Sequence, residues 1–490
     1  MMQARIFGLT LAAALILAPM AFAPLLAQEV VTKQYEDGGL YEGTFKDGKQ
    51  HGTGIYRLPS GYEYEGEWQM GEIAGQGRAR FPDGSVYEGH FARGKPDGKG
   101  KITFPDGGTY EGDWLAGQIT GQGLAHYANG TTYQGSFTNA LHDGEGVLSG
   151  PDGYSYQGGW VQGLKEGRGK ITYPDGASYE GEMAKGQRHG KGKLVLADGV
   201  TYEGDWVAGQ MEGTGRLVQV NGDVFEGQMV AGKRQGKGLV RYANGDVYEG
   251  DFLLDKPHGQ GTFRGADGYV YEGGWVEGRI EGTGRASFPD GSVYQGAFRN
   301  DLPEGQGRID YPDGASYEGG WVAGVIEGRG VAHYLGGLVY EGDFLAARQH
   351  GRGKMSYPDG YSYEGDWADG QRHGQGRATH PDGTLYEGSF EMGQRSGQGK
   401  LTMPDGFVYE GQWRAGEIEG EGRATYANGD VYEGSFKAGK RQGQGVMRYA
   451  SGTVESGRWA EDRLAEPAPE PAPEPAPEPT PAPVPPAAGN

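Results

Sequence analysis

The chain has 490 residues, with 66 Asp and Glu against 45 Lys and Arg, a net charge of −21, 98 glycines and no cysteine. The missing cysteines exclude disulfides, thiolate metal sites and thiol catalysis, and the acidic balance disfavours nonspecific attraction to nucleic acid. A length that ordinarily implies several domains carries instead one uninterrupted 23-residue period, which predicts a single array of stacked units.

Residues 1–27 come first. Arg5 precedes an apolar run from Ile6 to Ala27, broken by Pro19 and Pro24 and ending in small residues. This reads as an export signal cut after Ala27, placing the mature chain in the periplasm or outside the cell. The alternative is an uncleaved anchor that leaves the protein membrane-associated; the two prolines, which would kink a spanning helix, favour cleavage.

The repeats follow, in residues 28–463. Tyr-Glu-Gly-x-aromatic begins at Tyr41 and returns every 23 residues up to Tyr432, with a degenerate copy at Glu455, nineteen registers in all. Slots are numbered from the Tyr. Tyr64, Gly66 and Trp68 fill slots one, three and five of their repeat and share one face of a strand by the period-two rule. Glu65 and Glu67 point the other way. A second strand, Gly75 to Phe81, alternates again: Gly77, Ala79 and Phe81 on one face, Gln76, Arg78 and Arg80 on the other. Phe81-Pro82-Asp83-Gly84 has tight-turn chemistry, with Pro at the first turn position and Gly at positive φ where the next strand begins. Each 23-mer therefore holds two strands and two turns.

The apolar faces of the two strands are expected to coincide. Slot-sixteen alanines, Ala79, Ala125, Ala286, Ala332, Ala378 and Ala424, all belong to repeats whose slot five is Trp. This predicts that slots five and sixteen meet within one hairpin at constant summed volume. Trp160 with Ile171 and Trp206 with Leu217 break the rule. A 207-residue shift maps Trp68 onto Trp275 and the irregular Ala140 onto Ala347, so residues 41–247 and 248–454 read as two nine-repeat blocks fused in register, with a terminal half repeat beyond.

Segments such as Tyr432-Glu433-Gly434-Ser435-Phe436-Lys437-Ala438-Gly439-Lys440-Arg441-Gln442-Gly443-Gln444-Gly445 resemble the MORN, or membrane occupation and recognition nexus, repeat. The resemblance covers roughly residues 35–463. It implies an all-β fold, a single elongated, twisted antiparallel sheet of stacked 23-residue β-hairpins with an open groove. It also implies a scaffold for protein contacts, with acidic phospholipid as a proposed ligand of the family and enzymatic activity confined to appended domains.

The rings of Tyr64, Trp68, Tyr110, Trp114, Tyr156, Trp160, Tyr202, Trp206, Tyr271, Trp275, Tyr317, Trp321, Tyr363, Trp367, Tyr409 and Trp413 are the candidate groove residues, serving as core or as partner contacts. Slot-two carboxylates such as Glu42, Glu65, Glu88 and Glu111 read as a solvated strand face. Lys99, Lys101, Arg168, Lys170, Arg352 and Lys354 read as their cross-strand partners, or else as a basic stripe for lipid or anionic glycan. His51, His189, His258, His350 and His373 share slot eleven and read as loop histidines, with no partner at metal-ligand spacing. No catalytic, cofactor or metal motif stands out, so no enzyme is expected.

From Leu464 to Asn490 the chain is rich in Pro and Glu and reads as a disordered, polyproline-like tail. The whole is read as an exported, non-enzymatic scaffold that binds protein partners along an aromatic-lined groove. The alternative is a membrane-surface (anionic phospholipid) or envelope-glycan binder. No nucleic-acid partner is expected, and the exposed end strands make self-association possible.

Overall fold

The computed structural model describes residues 29–469. The expected export signal and most of the expected tail lie outside the described residues. Two compact units divide the chain between Met211 and Glu212. Each is an open antiparallel sheet in which every strand pairs with its neighbours in sequence. The first unit runs from Val31–Gln34 to Thr201–Val207, and the second ends with Arg463–Pro467. The block boundary at 247/248 falls at the start of strand Val247–Leu253, which pairs with Lys233–Arg241 and with Lys256–Arg264 inside the second unit.

One repeat shows how the sequence produces this. Strand Glu63–Gln69 is joined to Glu72–Arg80 by Met70 and Gly71, both at positive φ (52° and 99°). Two left-handed residues in a two-residue hairpin make a type I′ turn, whose twist matches that of the strands. Gly serves the second position in most repeats. Ala140 and Ala347 occupy it at φ 64° and 62°, where a Cβ is strained. The Pro-Asp-Gly turn closes with Gly84 N donating to Phe81 O at 2.9 Å and Phe81 N to Ser85 O at 2.9 Å, while Asp83 Oδ1 accepts from Ser85 N. At 335–337 the turn residues are Leu-Gly-Gly, and a short 3-10 turn, Leu335–Gly337, replaces it.

The two ladders of a repeat differ. Between repeats the register is unbroken: Gly75, Gly77 and Ala79 face Phe91, Gly89 and Tyr87. Within a hairpin, Tyr64 faces Ala79 and Gly66 faces Gly77, but Trp68 faces Ile73, so slots eleven to thirteen bulge opposite slot four. Gly75, at φ 82°, sits in that bulge.

The core lies on one face of each sheet. Each slot-one Tyr ring lies flat over two glycines. A Cβ on Gly66 would stand 2.5 Å from Tyr64 Oη, and one on Gly77 would stand 2.5 Å from Tyr64 Cε2. The Tyr hydroxyl donates to the slot-four carbonyl, as from Tyr64 to Glu67 at 2.9 Å. Each slot-five ring sits edge-on between the Tyr of its own repeat and that of the preceding one. Trp68 is 5.5 Å from Tyr64 and 5.1 Å from Tyr41. In the second unit this zigzag runs unbroken from Phe225 to Trp459; in the first, Met183 interrupts it.

The expected pairing of slots five and sixteen within one hairpin is corrected here. Slot sixteen faces slot-one tyrosines on both sides, as Ala79 faces Tyr64 and Tyr87. Slot five leans back onto the preceding repeat: Trp68 lies 6.0 Å from Tyr56 and Trp275 lies 6.4 Å from Phe263, both at slot sixteen of the repeat before. The indole Nε1 donates in the same direction, from Trp68 to Gly54 O at 3.3 Å and from Trp275 to Gly261 O at 3.3 Å. Ala therefore precedes Phe along the array, as Ala79 precedes Phe91. The two exceptions fall into place, because Ile171 and Leu217 precede Met183 and Met229.

Candidate functional site

All sixteen candidate rings are buried, none more than 8% exposed. Burial pushes the phenols of Tyr110, Tyr156, Tyr271, Tyr317 and Tyr409 up to about 12, and those of Tyr64 and Tyr363 higher still, so they stay protonated donors. Slot ten completes the cover. Ile73 and Ile280 face Trp68 and Trp275 across their hairpins. Elsewhere a cation lies on the rings: the Arg188 guanidinium is 4.2 Å from the Trp206 ring, and that of Arg441 is 4.6 Å from Trp459. His142 stacks on Tyr133 at 3.6 Å, touches Trp160 at 4.8 Å, and shares a 2.7 Å hydrogen bond with Tyr127 Oη. Burial holds its imidazole down to about 4. Trp160 Nε1 alone among the indoles is buried without a partner. Slot ten was missed in the sequence; its signal was a recurrent choice of Ile, Pro, Gln or Arg facing the aromatic row.

The grooves open on the opposite face, which corrects the expectation of an aromatic-lined groove. Rings packed edge to edge over glycine backbone leave no open channel, whereas short side chains on the polar face do. One groove of about 1300 Å³ is lined by Glu226, Lys237, Glu249, Thr262, Glu272, Thr283, Arg285 and Gln295, with backbone of glycines such as Gly250 and Gly273 as its floor. A second, of about 970 Å³, is lined by Arg329, Glu341, Asp343, Arg352, Lys354, Glu364, Arg377, Glu387, Lys400 and Glu410. In the first unit a groove of about 630 Å³ carries Glu88, Lys99, Lys101 and Glu111. Another, of about 780 Å³, has residues Trp68 and Phe91 in its lining beside His51, Glu67 and His90.

Charges on this face alternate strand by strand. Arg78 pairs with Glu88 at 2.9 Å, Lys101 with Glu111 at 3.7 Å and Arg423 with Glu433 at 3.4 Å. Lys99 and Arg352 pair instead with slot-four Asp113 (2.6 Å) and Asp366 (3.4 Å). The hydrogen bond from Lys99 holds the Asp113 carboxyl below its ordinary range. Arg168, Lys170 and Lys354 stand opposite Glu182, Glu180 and Glu364. Such exposed pairs each contribute about 0–1 kcal/mol, so their arrangement matters more than their stability.

Slots four and eleven have structural duties that the sequence left unread. Asp113 Oδ2 and Asp366 Oδ2 accept from Gln122 N and Gln375 N, each at 2.9 Å, satisfying amides freed by the bulge. Slot-eleven acceptors reach the turn of the next repeat: Asp97 takes Ala116 N at 3.0 Å, Glu304 takes Ala323 N at 2.9 Å, and His51 Nδ1 takes Met70 N at 3.4 Å. Among the described residues, no group of three or more His, Asp or Glu is arranged to hold a metal ion, and no helix is long and apolar enough to cross a membrane.

No curated protein matches the chain. Among solved structures it is similar to the TCP10 domain of Danio rerio CPAP in complex with a STIL peptide, with 17% identity over 55% of this chain and 93% of that one and a TM-score of 0.19. It is also similar to the SAS-4 TCP domain of Drosophila melanogaster in complex with a proline-rich motif of Ana2 (15% identity, 42% and 94% covered, TM-score 0.19). The virginiamycin B lyase of Staphylococcus aureus matches at 11% identity over 50% and 83%, with a TM-score of 0.11. Scores this low carry no argument about binding or activity. The family model for the MORN repeat, by contrast, matches eighteen consecutive copies, from residues 41–61 to 432–454. Since each copy is the glycine-cradled hairpin described above, repeated in one register, the chain belongs to the MORN repeat family.

Proposed function

We propose that this chain is an exported, non-enzymatic scaffold that binds protein partners along its polar face. The observation that carries the reading is the division of labour between faces: the rings are consumed by internal packing, while the opposite face offers open grooves edged by both charge signs at a fixed repeat. A protein surface supplies both signs at once, with the hydrogen bonding that a glycine-floored groove leaves open. The test is capture of partners by the wild type and by a triple variant, Lys354→Glu, Arg377→Glu, Lys400→Glu, with circular dichroism to confirm that both are folded. Partners retained unchanged by the folded triple variant would refute the groove assignment. Export is tested by sequencing the mature N-terminus, which this reading places at Gln28. The strand Arg463–Pro467 fixes the root of the Pro-rich tail, which we read as a spacer.

A second reading, attachment to an anionic lipid surface or envelope glycan, draws on the hairpin tips of the second unit. Exposed Leu253, Val276 and Leu345 stand there beside Lys256, Arg279 and Arg348. Salt-sensitive sedimentation with anionic vesicles, abolished by Leu253→Asp and Leu345→Asp, would favour it over the scaffold.

A further inference from the structure

The strand Val31–Gln34 pairs on one side only among the described residues, with Leu40–Lys46, and all four of its residues are exposed. Tyr35 N donates to Gly39 O at 2.8 Å to close their hairpin. Backbone groups alternate sides along an antiparallel strand. Lys33 and Val31 therefore turn theirs toward Tyr41 and Gly43, while Gln34, Thr32 and Val30 turn theirs outward. No proline or bulge interrupts that outer row; its protections are the shortness of the strand and Lys33, whose Nζ turns onto the ring face 5.1 Å from Tyr35 and 6.0 Å from Phe45. The last strand of the array differs: it carries a bulge and Pro467, its ladder runs on through Ala468 N to Ser456 O at 2.7 Å, and Glu455 replaces the slot-one Tyr. Phe45 adds a second sign, because it is partly exposed where every later slot-five residue is buried.

We infer that this edge pairs with the same edge of a second copy of the chain, antiparallel, about a two-fold axis through Thr32. An axis normal to the sheet keeps ring face beside ring face. Centring it on Lys33 would also bond Thr32 to Gln34, but it would oppose two ammonium groups directly across the pair. Centring it on Thr32 sets Thr32 against Thr32, Val31 against Lys33 and Val30 against Gln34, and it aims the free N–H and C=O groups of Val30, Thr32 and Gln34 at one another. Glu29 of one copy then lies diagonal to Lys33 of the other, within reach of a long side chain. The incoming strand also closes the open side of Phe45. A contact this short is far below the area of an obligate dimer, so association is weak and reversible. It does not rest on the partner-binding reading above.

Sedimentation velocity of the full chain over a concentration series tests the pairing. The wild type should shift from monomer to dimer with rising concentration. Thr32→Pro removes only an outward N–H and leaves the bonds to Leu40–Lys46, so it should remain monomeric. Glu29→Lys should weaken the dimer, and adding Lys33→Glu should restore it. The chain has no cysteine, so Thr32→Cys gives a single thiol, which a short bismaleimide should join to its twin; Glu466→Cys should not crosslink. A wild type that stays monomeric, because residues 1–28 or a foreign strand hold the edge, would overturn the inference. So would a dimer unaffected by Thr32→Pro.

Discussion

Replacing Trp275 with Ala separates the two packing schemes. The indole touches Tyr248 at 5.1 Å, Tyr271 at 5.5 Å and Phe263 at 6.4 Å, and donates to Gly261 O at 3.3 Å. A Trp burying about 200–250 Å² at about 25 cal/mol per Å² sets an upper bound of about 5–6 kcal/mol. Partial collapse of the neighbouring rings brings the expected loss to about 3–5 kcal/mol. Ala286, at slot sixteen of the same repeat, faces Tyr271, while Trp275 faces Ile280. Four residues at about 3.3 Å each, from Tyr271 to Trp275, put the two roughly 13 Å apart along the strand. Ala286→Leu should therefore not rescue Trp275→Ala, and being fully buried it should cost a further 1–3 kcal/mol or so by overpacking. A double-mutant cycle of Trp275→Ala with Phe263→Ala should instead show a coupling of about 0.5–1.5 kcal/mol. Native-state amide exchange over Lys256–Arg264 and Val270–Val276 is the assay, because repeat arrays open locally rather than in one step. Rescue by Ala286→Leu, or no coupling to Phe263, would refute the backward lean.

Gly284→Ala puts a Cβ 2.4 Å from Tyr271 Oη and should lower stability by about 1–3 kcal/mol or more, seen as earlier thermal unfolding of the second unit. Phe225 is the one slot-one ring without a hydroxyl, so Phe225→Tyr should gain about 0.5–1.5 kcal/mol in denaturant melts by donating to the slot-four carbonyl that the other repeats use. Ala347→Gly relieves a left-handed alanine at φ 62° and should raise stability by up to about 1 kcal/mol in the same assay. The half-buried His142 imidazole is held down to about 4 in the fold against 6.5 unfolded, so its contribution is complete above 6.5 and is lost as pH falls toward 4. The loss should be about 1–3 kcal/mol, followed by imidazole NMR titration, and His142→Phe should remove that acid sensitivity.

Strands, turns and faces were legible because period-two alternation and Pro-Asp-Gly each have one physical meaning. Tyr64, Gly66 and Trp68 do share a face, and Gly84 takes its positive φ at the turn. What alternation cannot encode is the direction in which a side chain leans across its neighbours, and so the partner of Trp68 was sought in Ala79 rather than Tyr56. Nor does it reveal that three residues, Gly75 in their middle, bulge against one. The polar groove was misplaced for a related reason. Aromatic residues in a row suggest a binding surface until the glycines beneath them are seen to hold the rings flat and closed. The slot-eleven histidines read as loop residues from sequence, because the turn that His51 serves belongs to the next repeat.

Some of the bonds that join one hairpin to the next run backward, while others run forward, as Arg234 N donates to Asp255 Oδ1 at 2.9 Å and Ile280 N to Asp301 Oδ1 at 2.7 Å. Trp68 Nε1, Gly71 N and Met70 N all donate to atoms of the repeat before, at Gly54, Gln50 and His51. A repeat leaving the ribosome thus finds the acceptors of those backward bonds in the hairpin made before it. The backward bonds of a repeat can therefore close once its predecessor is in place, while the forward ones wait for its successor.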